Sequence, residues 1–249
     1  MEGMKAMGTY SVSIEMQKLR RAGVLNTLFF AGIAGAIYAV LNWLVRKDYL
    51  LSADVDPMTA LLTQLYGVIS LLNVFAIIVS TSNIYSIEHK NNGLRKMHTL
   101  PIKSGSVFLQ KLIILVGALA LTYVIEFASL AILGGSYLPS GTFALGEVLQ
   151  FAFYVFLIIM PCLVFMLIIS MISPNMWITV GIGIVGFFSG MSMVGMDNRI
   201  SYLNPFVLLL KPAMELTSGM NIVIISIAII ETIVLILLGI FIANKKTEE

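Results

Sequence analysis

The sequence predicts an all-α integral membrane protein, in which six transmembrane helices follow an interfacial amphipathic helix and both termini are cytoplasmic. Of its 249 residues, 59% are hydrophobic and only 11% are charged, and the mean hydropathy is +0.97. Soluble domains carry roughly 25% charged residues, so this chain cannot cover a globule with polar surface. The apolar residues gather in six continuous runs, and the basic residues divide unevenly between the segments that join them.

Each apolar run is long enough for one membrane-spanning helix, which needs about twenty residues. Helices are expected because they satisfy their own backbone hydrogen bonds in lipid, whereas a membrane β-barrel would show short segments of alternating polarity. We predict a single transmembrane domain over residues 1–249. Its spans are predicted at about residues 24–45, 61–84, 107–133, 145–172, 177–196 and 222–243.

The lysines and arginines predict the orientation, because cytoplasmic loops carry an excess of these residues. With a cytoplasmic N-terminus, eleven of the fifteen basic residues fall inside and four fall outside. Before the first span, residues 10–21 place Val12, Met16 and Leu19 on one helical face. Together with the basic residues that follow, this pattern predicts a short helix lying on the inner membrane surface. A solvated tail with basic anchors is the alternative.

One proline and one apolar run predict departures from a simple bundle of straight spans. Pro161 predicts a bend in the fourth span. The external segment between the fifth and sixth spans contains the apolar run FVLLL, Phe206 to Leu210. Because this run would be costly in water, we expect it to dip into the membrane or to pack on the bundle.

Composition excludes several classes of function. The chain has two histidines and one cysteine, Cys162, which excludes a zinc site built from several such ligands and a disulfide within the chain. We therefore predict no bound metal. A net charge of +2 does not suggest a nucleic-acid partner. The chain lacks the G-x-x-x-x-G-K-[ST] phosphate loop, so we expect no ATPase site, no catalytic residues and no cofactor in it.

The polar residues gather in SIEHKNNGLRKMHTLPIKSGSVFLQKL, Ser86 to Leu112, which holds both histidines and five of the fifteen basic residues. Ile87, Leu94 and Met97 fall on one helical face, and Pro101 ends the pattern. The segment therefore predicts a short cytoplasmic helix whose apolar stripe needs a cover, either the membrane surface or a soluble partner. An ordinary positive-inside loop would explain the lysines but not the apolar residues or the Leu-Pro turn.

The order of Glu88, Gly93, Leu100-Pro101 and then Lys111 resembles the second intracellular segment of type-2 ABC transporter permeases, the ABC-2 type. The six spans, the interfacial helix, the internal termini and the tucked external run agree with that architecture, so the resemblance covers nearly the whole chain. The stretch IEHKNNGLRKMHTLPI is most similar to bacterial permeases of lantibiotic-immunity and antimicrobial-peptide export systems.

The resemblance implies a coupling helix within residues 86–105 that seats in a groove of a separate ATPase subunit. The residues implied in this contact, or in the turn back to the membrane, are Glu88, His89, Asn92, Gly93, Leu94, Arg95, Met97, Leu100 and Pro101. Lys111 is expected to extend, or snorkel, to the lipid headgroups. The implied partners are two ABC ATPase subunits that bind ATP and Mg²⁺, a second permease that is identical or homologous, membrane lipid and a peptide substrate.

The function that the resemblance implies is ATP-driven export. The substrate would be a lantibiotic-like antimicrobial peptide, or a similar amphipathic compound, expelled from the bacterial plasma membrane. Removing such a bacteriocin would confer immunity on the cell that carries the transporter.

Two carboxyl groups are predicted inside the membrane, Glu126 in the third span and Glu231 in the sixth. Such residues are costly in lipid and usually face the bundle interior or a water-filled path, so both are candidates for a translocation path. A protonated carboxyl hydrogen-bonded between helices is the structural alternative. The alternative function is a proton-coupled secondary carrier that uses both residues, although no duplicated halves are evident. An intramembrane protease would need histidines within the spans.

Small residues in the first and fifth spans allow helices to approach closely. Gly32 and Gly35 lie in the first span, and Gly186 and Gly190 form a G-x-x-x-G pattern in the fifth. In type-2 ABC permeases these two spans lie near the interface between two permeases, so the resemblance implies permease–permease packing. Packing within the chain is the alternative.

Overall fold

The computed structural model describes residues 15–20, 22–52, 56–89, 104–196 and 198–245. This part of the chain is 88% helix and contains no strand. Residues 15–20 are helical and are called the N-terminal segment below. The longer helices of the described chain are α1 (Val24–Ser52), α2 (Pro57–His89), α3 (Ser104–Tyr137), α4 (Leu145–Ile158), α5 (Met160–Ile172), α6 (Met176–Met193), α7 (Pro205–Glu215) and α8 (Ile222–Lys245).

Six stretches of the described helices are long and apolar enough to cross a membrane. They are Val24–Asp48, Pro57–Ser86, Ser104–Tyr137, Leu145–Ile172, Met176–Met193 and Ile222–Lys245. The predicted all-helical fold with six membrane-spanning helices is therefore confirmed. Two helices run beyond these stretches, since α1 continues to Ser52 and α2 to His89.

The fourth span consists of two helices, because α4 ends at Ile158 and α5 begins at Met160. Pro161 lies in the first turn of α5 and has no backbone N–H to continue the helical hydrogen bonding. The N–H of Ile159 still reaches the carbonyl of Val155 at 3.3 Å. The interruption thus falls immediately before the proline, where the sequence predicts a bend.

The second and fourth spans form the interior of the bundle. α2 contacts α1, α3, α5, α6 and α7. The windows of the second and fourth spans are 61% and 72% buried, against 17% to 28% for the first, fifth and sixth spans. Large apolar residues on the peripheral spans therefore face outwards, as expected for helices that contact lipid acyl chains.

The run FVLLL packs on the bundle, which is one of the two arrangements that the sequence predicts. It lies in α7, where Val207, Leu208 and Leu209 are fully buried against neighbours that include α2 and α6. The side chain of Asn204 caps the start of α7 by accepting a hydrogen bond from the N–H of Phe206 at 3.0 Å. The hydroxyl of Tyr66 in α2 donates to the carbonyl of Leu209 at 3.1 Å, which fixes α7 to the interior.

Candidate coupling and transport sites

α2 and α3 bracket the segment that the sequence predicts to couple to an ATPase. α2 ends at His89, α3 begins at Ser104, and the two helices contact each other. Glu88 and His89 form the last residues of α2, of which only the backbone is described. The other predicted contact residues lie outside the described residues, namely Asn92, Gly93, Leu94, Arg95, Met97, Leu100 and Pro101. Their contact with an ATPase stays a prediction.

Lys111, near the start of α3, is buried in an ion pair. Its ammonium Nζ lies 3.0 Å from Oε2 of Glu15 and 5.1 Å from the centre of the Tyr85 ring, and only 1% of the residue is exposed. The expectation that Lys111 extends to the lipid headgroups is therefore wrong. The reason is that Glu15 offers the ammonium a carboxylate inside the protein, which a local reading of the third span does not reveal.

Glu15 is shared by two ammonium groups. Its Oε1 lies 2.7 Å from Nζ of Lys18, one turn along the N-terminal segment. Burial by itself raises the pKa of Glu15, but the charges and hydrogen bonds of Lys111 and Lys18 outweigh it and hold the pKa below its ordinary value of 4.5. At neutral pH the carboxylate is therefore charged and paired on both oxygens.

Through Glu15 and the Tyr85 ring, the ammonium of Lys111 joins three parts of the chain at one end of the bundle. Glu15 belongs to the N-terminal segment, Lys111 to the second turn of α3, and Tyr85 to the last turns of α2. The two helices that bracket residues 90–103 are therefore held together and to the N-terminal segment.

Glu126, in α3, lies inside the bundle and is fully buried. Its Oε2 accepts a hydrogen bond from Nδ2 of Asn73 in α2 at 2.9 Å. Three buried polar atoms around this bond have no hydrogen-bond partner among the described residues: Oε1 of Glu126, Oδ1 of Asn73 and the hydroxyl of Tyr123. An unpaired polar atom in a low-dielectric interior is costly, so this cluster is incompletely satisfied in the conformation described.

The predicted packing glycines contact atoms of their own chain. A Cβ on Gly35 would lie 2.6 Å from Oε1 of Glu126, and a Cβ on Gly32 would lie 3.2 Å from the backbone of Thr122. On Gly186 and Gly190 a Cβ would meet Phe206 of α7 at 2.5 and 2.7 Å. These contacts correspond to the intrachain alternative, and permease–permease packing through the same glycines stays a prediction.

The structure does not bring Glu126 and Glu231 together. The antiparallel helices α3 and α8 meet where the N–H of Gly105 bonds Oδ1 of Asn244 at 3.0 Å. A rise of about 1.5 Å per residue places Glu126 roughly 32 Å and Glu231 roughly 20 Å along its helix from this contact. Glu231 is half-buried, its Oε2 has no partner among the described residues, and it lies near Cys162 of α5.

The six membrane-spanning helices, with a polar segment between the second and the third, define a multi-pass membrane protein. Residues 11–190 match the model of the family described as ABC-2 family transporter protein. Because this match covers more than half of the sequence, the chain belongs to that family. It is therefore a membrane permease subunit of an ABC transporter and works with ABC ATPase subunits. No curated protein and no solved structure matches the chain.

Proposed function

We propose that this permease exports a lantibiotic-like antimicrobial peptide, or a similar amphipathic compound, from the bacterial plasma membrane and so confers immunity. The observation that carries the proposal is the polar segment around IEHKNNGLRKMHTLPI, which is bracketed by α2 and α3. Its sequence resembles the permeases of such immunity systems, and its place between the central helix α2 and its neighbour α3 suits a segment that transmits force.

In this proposal two permeases, identical or homologous, bind two ATPase subunits. The ATPase subunits bind ATP and Mg²⁺, and this chain holds neither a cofactor nor a catalytic residue. Both termini and residues 90–103 lie on the cytoplasmic side, which agrees with the excess of basic residues there. Leu94 and Met97 contact the ATPase through the apolar face of the coupling helix.

ATP-driven closure of the ATPase subunits then displaces residues 90–103 and, with them, α2 and α3. The Glu15–Lys111 ion pair makes the N-terminal segment move with these helices. The hydrogen bond between Asn73 and Glu126 crosses from α2 to α3, so a shift of one helix against the other changes it. Glu126 would then be presented to a cationic peptide, and its carboxyl group would lose its proton and bind the peptide as a carboxylate.

Co-purification of an ATPase tests the coupling segment. The tagged permease is solubilised from its host, and the proteins that co-purify are identified. An ABC ATPase is expected with the native chain and is expected to be lost from the Leu94→Asp/Met97→Asp variant. The matched control is Leu203→Asp/Leu216→Asp, which places the same charges on exposed leucines beside α7. Retention of the ATPase by the first variant, or its loss from the control alone, would contradict the proposal.

Peptide resistance tests the substrate. A sensitive strain that expresses the permease with its ATPase is challenged with a cationic lantibiotic, and the minimal inhibitory concentration is measured. Resistance is expected to rise with the native pair and to stay at the basal value when the ATPase carries an inactive phosphate loop. Resistance that persists with the inactive ATPase and disappears when the proton gradient is collapsed would instead support a proton-coupled carrier.

A further inference from the structure

A groove lies where the N-terminal segment, α1 and α3 meet. Its volume is about 480 Å³, which is within the range of about 300–1,000 Å³ for sites that hold small organic molecules. Each of the three helical elements contributes side chains to its walls. The groove lies on the outside of the bundle, beside the Glu15–Lys111 ion pair, and it belongs neither to the coupling segment nor to the cluster around Glu126.

The long wall of the groove is apolar. Ile113, Gly117 and Leu121 follow each other at intervals of four residues, so they form one face of α3 about 12 Å long, and Phe29 of α1 lies opposite. Gly117 leaves the middle of this wall open, because a Cβ placed on it would meet no atom within 4 Å. The shape and chemistry of this part suit a hydrocarbon chain.

One end of the groove is polar and positively charged. Arg20 of the N-terminal segment and Asn26 of α1 line it, and both residues are exposed. Glu15, the acid of the same segment, is already occupied by Lys111 and Lys18. The guanidinium of Arg20 has no ion pair with any residue that the structure describes. Guanidinium groups bind phosphate through two parallel hydrogen bonds.

We propose that this groove binds an anionic phospholipid. Its phosphate would contact Arg20 and Asn26, and one acyl chain would follow the wall from Ile113 to Leu121. The polar end lies at the same end of the bundle as the start of α3, which places the headgroup level with the segments that carry most of the basic residues. Anionic headgroups are attracted to such basic segments. The charge at one end and the apolar wall behind it match the two parts of such a lipid.

Native mass spectrometry of the detergent-solubilised permease tests this proposal. The protein is titrated with phosphatidylglycerol and, separately, with phosphatidylcholine of the same acyl chains. The native chain is expected to bind its first phosphatidylglycerol about tenfold more tightly than its first phosphatidylcholine, since one charge-assisted hydrogen-bonded pair supplies a difference of this order. Equal affinity for the two lipids would overturn the proposal.

Two variants separate the two parts of the site. Arg20→Gln is expected to remove the preference for phosphatidylglycerol, and Gly117→Leu is expected to weaken the first binding of both lipids by filling the wall. Gly181→Leu is the matched control, because Gly181 is an exposed helical glycine of α6 at which a Cβ also meets no atom within 4 Å. A preference that survives Arg20→Gln, or an equal loss in Gly117→Leu and Gly181→Leu, would contradict the proposal. Unchanged melting temperatures of the variants exclude misfolding as the cause.

Discussion

Two buried acids of this permease differ in how completely their oxygens are satisfied. Glu15 is 4% exposed and Glu126 is fully buried. Both oxygens of Glu15 contact ammonium groups, of Lys111 and Lys18. Glu126 receives one hydrogen bond, from the neutral amide of Asn73, and its other oxygen has no partner in the described part of the chain. The first acid therefore holds two helical elements together, whereas the second keeps one oxygen that can accept a further hydrogen bond.

The difference also concerns what each acid connects. Glu15 connects the N-terminal segment to α3, close to the place where α2 and α3 lead into residues 90–103. Glu126 connects α2 to α3 in the middle of the bundle through one hydrogen bond. An ion pair with both oxygens satisfied resists separation, whereas a single hydrogen bond to a neutral group is worth only about 1–3 kcal/mol even when one partner is charged. Fold stability should therefore depend on the side chain of Glu15 more than on that of Glu126.

The largest effect is expected from Lys111→Met, which removes the buried cation but keeps a long apolar side chain. The free energy of unfolding should fall by about 3 kcal/mol, because a buried charge left without its partner is strongly destabilising. Denaturant unfolding of the detergent-solubilised protein measures it. Lys245→Met, at an exposed position in the last turn of α8, should have almost no effect. Equal stability of the two variants would refute the structural role of the ion pair.

A smaller effect is expected from Gly35→Ala, which places a Cβ 2.6 Å from Oε1 of Glu126. The overpacking should cost about 1–3 kcal/mol and should disturb the contact between α1 and α3. Gly181→Ala adds the same atom to a helix where it meets nothing within 4 Å, and the better helix propensity of alanine should leave stability unchanged or raised. If both variants melt at the same temperature, the close contact of α1 with Glu126 is wrong.

The ion pair also predicts a dependence of stability on pH. Because the pKa of Glu15 is lowered in the folded chain, its stabilising contribution is complete above the ordinary value of 4.5 and is lost as the pH falls through the folded-state value. The melting temperature of the native chain should thus decrease below pH 4.5 more steeply than that of Glu15→Gln. Parallel curves for the two proteins would show that Glu15 does not supply the effect.

The smallest effect on stability is expected from Glu126→Gln, which keeps the shape and an acceptor oxygen for Asn73. The free energy of unfolding should change by less than about 1 kcal/mol, since the hydrogen bond can still form. Lantibiotic resistance should fall, because the variant cannot form the carboxylate proposed to meet a cationic peptide. Full resistance with Glu126→Gln would remove Glu126 from the transport mechanism but would leave the coupling segment untouched.

The sequence predicts those features that depend on neighbouring residues. The six apolar runs, the interruption before Pro161 and the packing of FVLLL each follow from local composition, and the structure contains all three. The two acid sites depend on helix register instead. Glu15 and Lys111 are 96 positions apart in the chain, and Asn73 and Glu126 are 53 positions apart, so no spacing rule could pair them. For this reason the sequence does not reveal that Lys111 is buried beside Glu15.

Site-specific cross-linking tests most directly whether residues 90–103 contact the ATPase. Cys162, the single cysteine of the chain, is fully buried and can be replaced by serine. Leu94→Cys, Met97→Cys and the control Leu203→Cys are then labelled with a photoreactive maleimide in the purified complex. Irradiation should link the ATPase at the first two positions and not at Leu203. An ATPase that stays in the complex but is linked at neither Leu94→Cys nor Met97→Cys would contradict the account.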